Sequence, residues 1–330
     1  MQRTMQRPAE ASGMFTIGGD LKVYRLGFGA MRLTGEGIWG PPANKQEAIA
    51  VLRRALELGI NLIDTADSYG PEVSELLIAE ALYPYPKGLV IATKGGLVRP
   101  GPNQWVPDGR PEHLREALEG SLRRLRLDHI DLYQFHRPDP RVPFEVSVGE
   151  FAKMRQEGKI RHVGLSNVTI DQLARAQKIV PIVTVQNHYN LAHRESENMT
   201  AAESEAMIDI CADQGIGFIP WFPLATGELA REGGPLDQIA RRHSAKPSQI
   251  AIAWLLQRSS NMLPIPGTSS VKHLEENVLG ATIKLTQEEF DTLDETCSRP
   301  NRGEQDEPIY KWQVRSWRYA ICPEVRASPR

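Results

Sequence analysis

Asp64, Tyr69, Lys94 and His136 are the residues of this chain whose types and positions could do chemistry together. Asp64 lies in the run INLIDTAD, Tyr69 stands five positions later, Lys94 ends LVIATK and His136 ends IDLYQFH. A phenol beside an ammonium, a carboxylate and an imidazole can be made to give or take a proton near neutral pH. Free tyrosine titrates near ~10, so it needs a neighbouring positive charge to work there. Each of the four sits at, or just past, the C-terminal end of a predicted strand. That placement points to an enzyme.

The elements that must position them are short apolar runs alternating with longer amphipathic ones. Strands are predicted over Arg25–Met31, Ile60–Asp64, Leu89–Lys94, Ile130–His136, Ile160–Leu165, Ile182–Gln186, Ile216–Trp221 and Met262–Ile265. Helices lie between them. In the first, Ala48, Val51, Leu52, Ala55 and Leu58 recur at helical spacing, and a later one repeats this over Leu114, Ala117, Leu118, Leu122 and Leu125, with Pro111 near its start. Eight strand-then-helix units predict a closed (β/α)8 TIM barrel, class α/β, rather than an open sheet. In such a barrel catalytic groups gather at the C-terminal ends of the strands, so Asp64, Lys94 and His136 should share one rim, with Tyr69 within reach on a loop.

Three pieces fall outside the repeat. Residues 1–13 are expected to be a flexible N-terminus. Phe15 to Val23, with Gly18-Gly19 at its centre, is expected to form a β-hairpin across the barrel floor. The barrel should occupy 14–298 as a single domain. A tail over 299–330, rich in proline and charge, carries Tyr310, Trp312, Trp317 and Tyr319 and could cover the substrate pocket or pack elsewhere.

A chain of 330 residues has ample length for a large core. Its 39 basic and 41 acidic side chains give a formal net charge of −2, so no basic excess suggests nucleic acid or an anionic membrane surface. The run Arg123, Arg124, Arg126 is read as a solvated helix face. Cys211, Cys297 and Cys322 are far apart and odd in number, which suits neither a disulfide framework nor a zinc site, and no metal is expected. Cys211 reads as a small core residue. The N-terminal stretch lacks the apolar segment of a signal peptide, and no apolar run is long enough to span a bilayer. The expectation is a soluble, cytoplasmic protein of unspecified oligomeric state.

With these residues in place, the chain resembles the aldo-keto reductase family over nearly its whole length. The likeness rests on GFGAMRL, NLIDTADSYG, TKGG, DLYQFHRPD, EGKIRHVGLSNV, VQNHYN, PWFPLATGEL and IPGTSSVKHLEEN, in order and at matching intervals. The resemblance implies a barrel that binds NADPH/NADP+ in extended form without a Rossmann fold. Consistently, no G-x-G-x-x-G follows a strand, and Gly27-Phe28-Gly29 is only a tight bend. It implies reversible reduction of an aldehyde or ketone to an alcohol by hydride transfer from the nicotinamide. Tyr69 would be the general acid, Lys94 would lower its pKa, Asp64 would hold Lys94 protonated, and His136 would orient the carbonyl. Acid–base assistance of this kind is worth roughly 10²–10⁴ in rate.

The resemblance also assigns the cofactor site. Ser166, Asn167 and Gln186 would bind the carboxamide. Trp221, where the family usually has tyrosine, or Phe222 if the register shifts, would stack on the ring. Phe222, Leu224 and Thr226 would follow the pyrophosphate, and Gly29, Ala30 and Met31 would lie near the nicotinamide ribose, with Asp64 beside it. Gly267, Thr268, Ser269, His273, Glu276 and Asn277 fall at adenosine-end positions. Where many members carry arginines for the 2′-phosphate, this chain has Ser269, Ser270, Lys272 and His273. Arginine is the natural bidentate phosphate ligand, so NADPH stays favoured while NADH use becomes more plausible.

Blander readings stand beside these. Asp64 and Lys94 could be a structural pair, and Lys94 could form a Schiff base, as in aldolases built on parallel barrels. Ser166-Asn167 could cap the next helix. Trp221 could simply fill the barrel mouth. His188, His193 and His243 have no partner pattern and read as structural or exposed. Trp39 and Trp105 could line the substrate pocket or merely cover the barrel, and aromatic loops would favour an apolar or cyclic carbonyl compound. A different class of function also stays open: a nicotinamide-binding sensor or partner subunit on the same barrel, its chemistry incidental.

Overall fold

The structure, a computed structural model, describes residues 7–224 and 235–297. Its first sheet is a hairpin of β1 (Met14–Ile17) and β2 (Leu21–Tyr24). Gly18 and Gly19 turn it at φ 62° and 87°, and a Cβ on Gly18 would fall 2.3 Å from the His162 ring. Only glycine meets both demands. Asp20, next in the turn, accepts from Arg161 Nη2 at 2.6 Å and faces His162 Nε2 at 2.7 Å. These contacts latch the hairpin onto the floor, as its apolar spacing predicts.

The barrel strands are β3 (Phe28–Gly29), β4 (Leu62–Asp64), β5 (Val90–Gly95), β8 (Ile130–Phe135), β9 (Ile160–Ser166), β10 (Ile182–His188) and β11 (Gly217–Trp221). A small hairpin, β6 (Leu97–Val98) with β7 (Val106–Pro107), is inserted after β5. The seven strands pair in parallel in the order β11-β10-β9-β8-β5-β4-β3. The eighth run closes the ring without a regular ladder. Met262 bridges Phe218, Leu263 N–H donates to the Phe218 carbonyl, and Gly27 N–H donates to the Pro264 carbonyl at 3.0 Å. Pro264 has no N–H to contribute, so one of its donors is missing. Gly29 and Gly267 meet at this seam. A Cβ on Gly267 would fall 2.4 Å from the Gly29 carbonyl oxygen, which explains why the first and last motifs both need glycine there.

Around the barrel run α1 (Lys45–Glu57), α2 (Val73–Leu82), α3 (Pro111–Leu125), α4 (Phe144–Gln156), α5 (Ile170–Gln177), α6 (Ala201–Asp213), α7 (Pro235–Arg242), α8 (Pro247–Arg258), α9 (Val271–Leu279) and α10 (Gln287–Cys297). The periodic apolar positions of α1 and α3 are buried, as is Cys211 in α6. Each fully buried leucine among them contributes on the order of 1.5–3 kcal/mol. Alternation along the strands splits the core in two. Leu62, Val90, Leu132, Ile219 and Leu263 point inward and pack on Ile17, Leu21 and Val23 of the hairpin, while Ile63, Ile91, Tyr133, Val163 and Val185 point outward to the helices.

Several expectations are corrected. Residues 8–12 are not a loose terminus: Pro8–Ser12 form a 3-10 turn whose Ala9 N–H donates to the Leu58 carbonyl and whose Ser12 hydroxyl accepts from Leu26 N–H. The first strand is shorter than predicted, because Ala30–Leu33 turn into a 3-10 helix. Arg124 is not on a solvated face. It is largely buried, and its Nε donates to Glu75 Oε2 at 2.7 Å. Residues 1–6, Thr226 and the expected tail over 299–330 lie outside the described residues.

Candidate active site

β4 ends at Asp64, β5 carries Lys94, β8 delivers Gln134 and His136 follows it, so parallel register brings them to one rim. Lys94 is fully buried and all three of its N–H donors are engaged: Asp64 Oδ2 at 2.6 Å, the Thr65 carbonyl at 2.8 Å and Tyr69 Oη at 3.2 Å. Asp64 in turn accepts on Oδ1 from Gln134 Nε2 at 3.0 Å and Gln186 Nε2 at 2.8 Å. Gln134 escaped sequence reading, although it lies two residues before His136 on the same strand face. The four expected residues are therefore together, and Tyr69 Oη accepts from Lys94, leaving its own O–H to donate elsewhere.

The electrostatics refine the expectation. Burial pushes the Tyr69 phenol above its ordinary value, and the Lys94 charge opposes that rise without overcoming it. The expected net lowering of Tyr69 is thus reversed, because the phenol is dry. It is held protonated, which suits a proton donor. Burial works against the Lys94 charge too, but Asp64 and Tyr69 outweigh it and hold the ammonium above its ordinary range. His136 is driven well below the usual imidazole value by burial, then by Lys94, Arg137 and Arg99. It is a neutral imidazole, its Nδ1 3.3 Å from Ser68 Oγ. Trp105 completes a cage, edge-on to Tyr69 at 6.2 Å and to His136 at 6.4 Å.

Of these groups Asp64, Tyr69, Trp105, His136 and Gln186 line a cavity of about 500 Å³. Of the expected cofactor residues, Gly29, Met31, Asp64, Ser166, Asn167, Gln186, Trp221, Phe222, Leu224, Gly267, Thr268, His273, Glu276 and Asn277 line it. Ala30 does not; it is buried, with its carbonyl accepting from Ser74 Oγ. Ser269 is exposed and also stands off the wall. Lys272 is exposed, and Ser270 caps α9 by accepting from His273 N–H.

Ser166 and Asn167 do not cap the following helix, which uses a capping box of Thr169 and Gln172 instead. Asn167 sits at φ 57°, its Nδ2 donating to the His136 carbonyl and its Oδ1 accepting from Trp221 Nε1 at 3.1 Å. Phe222 holds φ 54°, a conformation costly for a bulky residue by about 1–3 kcal/mol, and it too faces the cavity. Both candidate stacking rings are thus on the wall.

Other wall residues were not anticipated. His188, read as structural, lines the cavity and packs on Trp221 at 4.5 Å. Arg32, Ile38, Arg137 and Glu197 line it as well, Arg137 being ion-paired to Glu197. Arg137 is next to His136, but nothing in its spacing marked it. Trp105 is on the wall and Trp39 is not. His243 pairs with Glu289 away from the site.

A donor set of amides and a hydroxyl (Asn167, Gln186, Ser166) beside the aromatic rings of Trp221 and Phe222, with Thr268, His273 and Asn277 on the same wall, fits a ligand with a flat polar ring. Among the described residues no group of acidic, histidine and cysteine side chains is placed to hold a metal ion, and no helix is long and apolar enough to cross a membrane.

Comparison with known proteins agrees with this geometry. The model of the aldo/keto reductase family matches residues 25–297. An uncharacterized oxidoreductase of Schizosaccharomyces pombe is 54% identical over 289 residues, covering 88% of this chain and 92% of that protein. Pyridoxine 4-dehydrogenase of Escherichia coli is 45% identical over 291 residues, covering 86% of this chain and 98% of that one. The solved structure of an aldo-keto reductase from Klebsiella pneumoniae in complex with NADPH superposes with a TM-score of 0.72 at 25% identity, covering 89% and 98% of the two chains.

Proposed function

The chain belongs to the aldo/keto reductase family, an oxidoreductase family, and from that premise we propose that it interconverts pyridoxal and pyridoxine, or a closely related ring aldehyde and its alcohol, with NADPH/NADP+. The observation that carries the reading is the Tyr69 phenol, 3.2 Å from the buried Lys94 ammonium, on the wall of a cavity of about 500 Å³ that the expected cofactor residues also line. The Escherichia coli relative acts on pyridoxine by name, and the Klebsiella pneumoniae relative was solved with NADPH.

Ser166, Asn167 and Gln186 would hold the carboxamide of the nicotinamide, with Trp221 or Phe222 against its ring. Thr268, His273, Glu276 and Asn277 would hold the adenosine end. The bound nicotinamide supplies hydride. Everything else falls to the chain. Tyr69 donates its phenolic proton to the carbonyl oxygen as that oxygen gains charge. Lys94, protonated through Asp64, stabilises the phenolate left behind. Neutral His136, in the tautomer that accepts from Ser68 Oγ on Nδ1, would offer Nε2–H to the same oxygen and fix the carbonyl. The Tyr69, Trp105 and His136 rings accept a flat ring and exclude water.

The test is NADPH consumption by the full chain with pyridoxal beside a panel of unbranched aldehydes. Turnover with pyridoxal in the range of roughly 1–10³ per second supports the reading. Turnover below about one per minute on every aldehyde would favour the sensor-like alternative. NADH run in parallel measures what the arginine-poor adenosine end tolerates.

A further inference from the structure

One side chain beside this site is not used by the chemistry above, yet it touches three of the loops around the cavity mouth. Arg99 follows β6, half-buried. Its Nε donates to the Gln104 carbonyl at 2.7 Å, Nη1 to the Ile38 and Ser68 carbonyls at 2.9 Å each, and Nη2 to the Gly37 carbonyl at 2.9 Å. The flat face of the guanidinium lies 3.6 Å from the centroid of Trp105, with Trp39 at 5.8 Å. No carboxylate is ion-paired to it among the described residues, so backbone carbonyls alone satisfy it. Burial pushes its pKa down to about 10, which still leaves it charged at neutral pH.

We infer that Arg99 is a positioning residue that sets ring specificity: it ties the loops after β3, β4 and β5 into one rigid wall. Ile38 and Trp105, which that wall presents, both face the cavity. Ser68, the third tie, is the partner of His136 Nδ1 and the neighbour of Tyr69. Only a planar fork with donors on three nitrogens reaches carbonyls on three separate loops while stacking on an indole. Lysine, a single point of charge, cannot. A ring substrate feels the wall over its whole face, whereas a short unbranched aldehyde needs only the Tyr69 and His136 end. The preference for rings rests on the ring-aldehyde reading above; the tying of the loops does not.

The test compares wild type with Arg99→Lys and Arg99→Met, the lysine guarding against a methionine variant that fails to fold. Two readouts are taken. In amide hydrogen exchange, peptides covering 35–40, 66–70 and 101–107 should exchange at least about tenfold faster in both variants, with α1 and α4 unaffected. In kinetics, kcat/KM for pyridoxal should fall at least about tenfold, mostly through KM, and at least roughly fivefold more than kcat/KM for butanal. Lysine should restore no more than a small part of this. Unchanged exchange in the three segments overturns the inference, as does an equal loss on both aldehydes. If wild type reduces butanal but not pyridoxal, the ring-aldehyde reading falls, together with the specificity set by Arg99. The exchange result still decides whether Arg99 ties the loops.

Discussion

The Lys94 ammonium donates to Tyr69 Oη across 3.2 Å, in a pocket where burial holds the phenol above its ordinary pKa. In the proposed reaction the tyrosine is the proton donor, and its conjugate base would have the Lys94 counter-charge already in place. Tyr69→Phe removes the proton and little else. Turnover with any aldehyde should fall by roughly 10²–10⁴, while NADPH binding, followed by quenching of tryptophan fluorescence, stays within about twofold. Full turnover in this variant would remove Tyr69 as the acid.

Asp64 accepts from Lys94, Gln134 and Gln186 at once, so it is structural as well as electrostatic. Asp64→Asn leaves a fully buried ammonium without its counter-ion. Breaking one side of a buried pair costs on the order of 3–5 kcal/mol, readable in urea unfolding. Adding Lys94→Met should recover part of that stability and none of the activity, because the two residues share one interaction. Additive losses in the double variant would contradict a coupled pair.

His136 is neutral in the fold because burial and three nearby cations oppose its charge. Its native pKa lies below the unfolded value of 6.5, so the unfolded chain binds the extra proton first. Stability from this group is complete above about pH 6.5 and is lost as pH falls below it. His136→Asn should accordingly narrow or reverse its Tm deficit as pH drops from about 7 to 5. A parallel Tm profile for the two proteins would show that His136 titrates normally. For the wild type, kcat/KM should show no acid limb near 6.5 from this group.

Asp67 carries the opposite slope. It sits in the loop between Asp64 and Tyr69, and one carboxylate oxygen has no hydrogen-bond partner among the described residues. Burial, then the charge of Glu75, raises its pKa from 3.8 to about 8. The native state holds the proton longer than the unfolded chain, so stability is lost as pH rises from about 4 towards 8. Asp67→Asn, which cannot ionise, should gain in Tm relative to wild type across that interval. If the difference between the two is independent of pH, the carboxyl is ionised in the fold at neutral pH and its burial does not raise its pKa.

The order of strands and helices, the floor hairpin and the convergence of Asp64, Tyr69, Lys94 and His136 on one rim were legible in the sequence, because each depends on local spacing. Period two for strands, period three to four for helices and glycine where backbones press together all lie within a few residues of one another. Parallel register then sends the ends of successive strands to the same side, so Asp64, Lys94 and His136 had to converge once the barrel closed. Tertiary structure alone decided what those groups experience. Gln134 and Gln186 reach Asp64 from two other strands, Arg99 gathers carbonyls from loops distant in the chain, and Arg124 turns from solvent to Glu75. The same holds for the phenol of Tyr69: the competition between its burial and the Lys94 charge depends on through-space distance and excluded water, and neither is written in residue order.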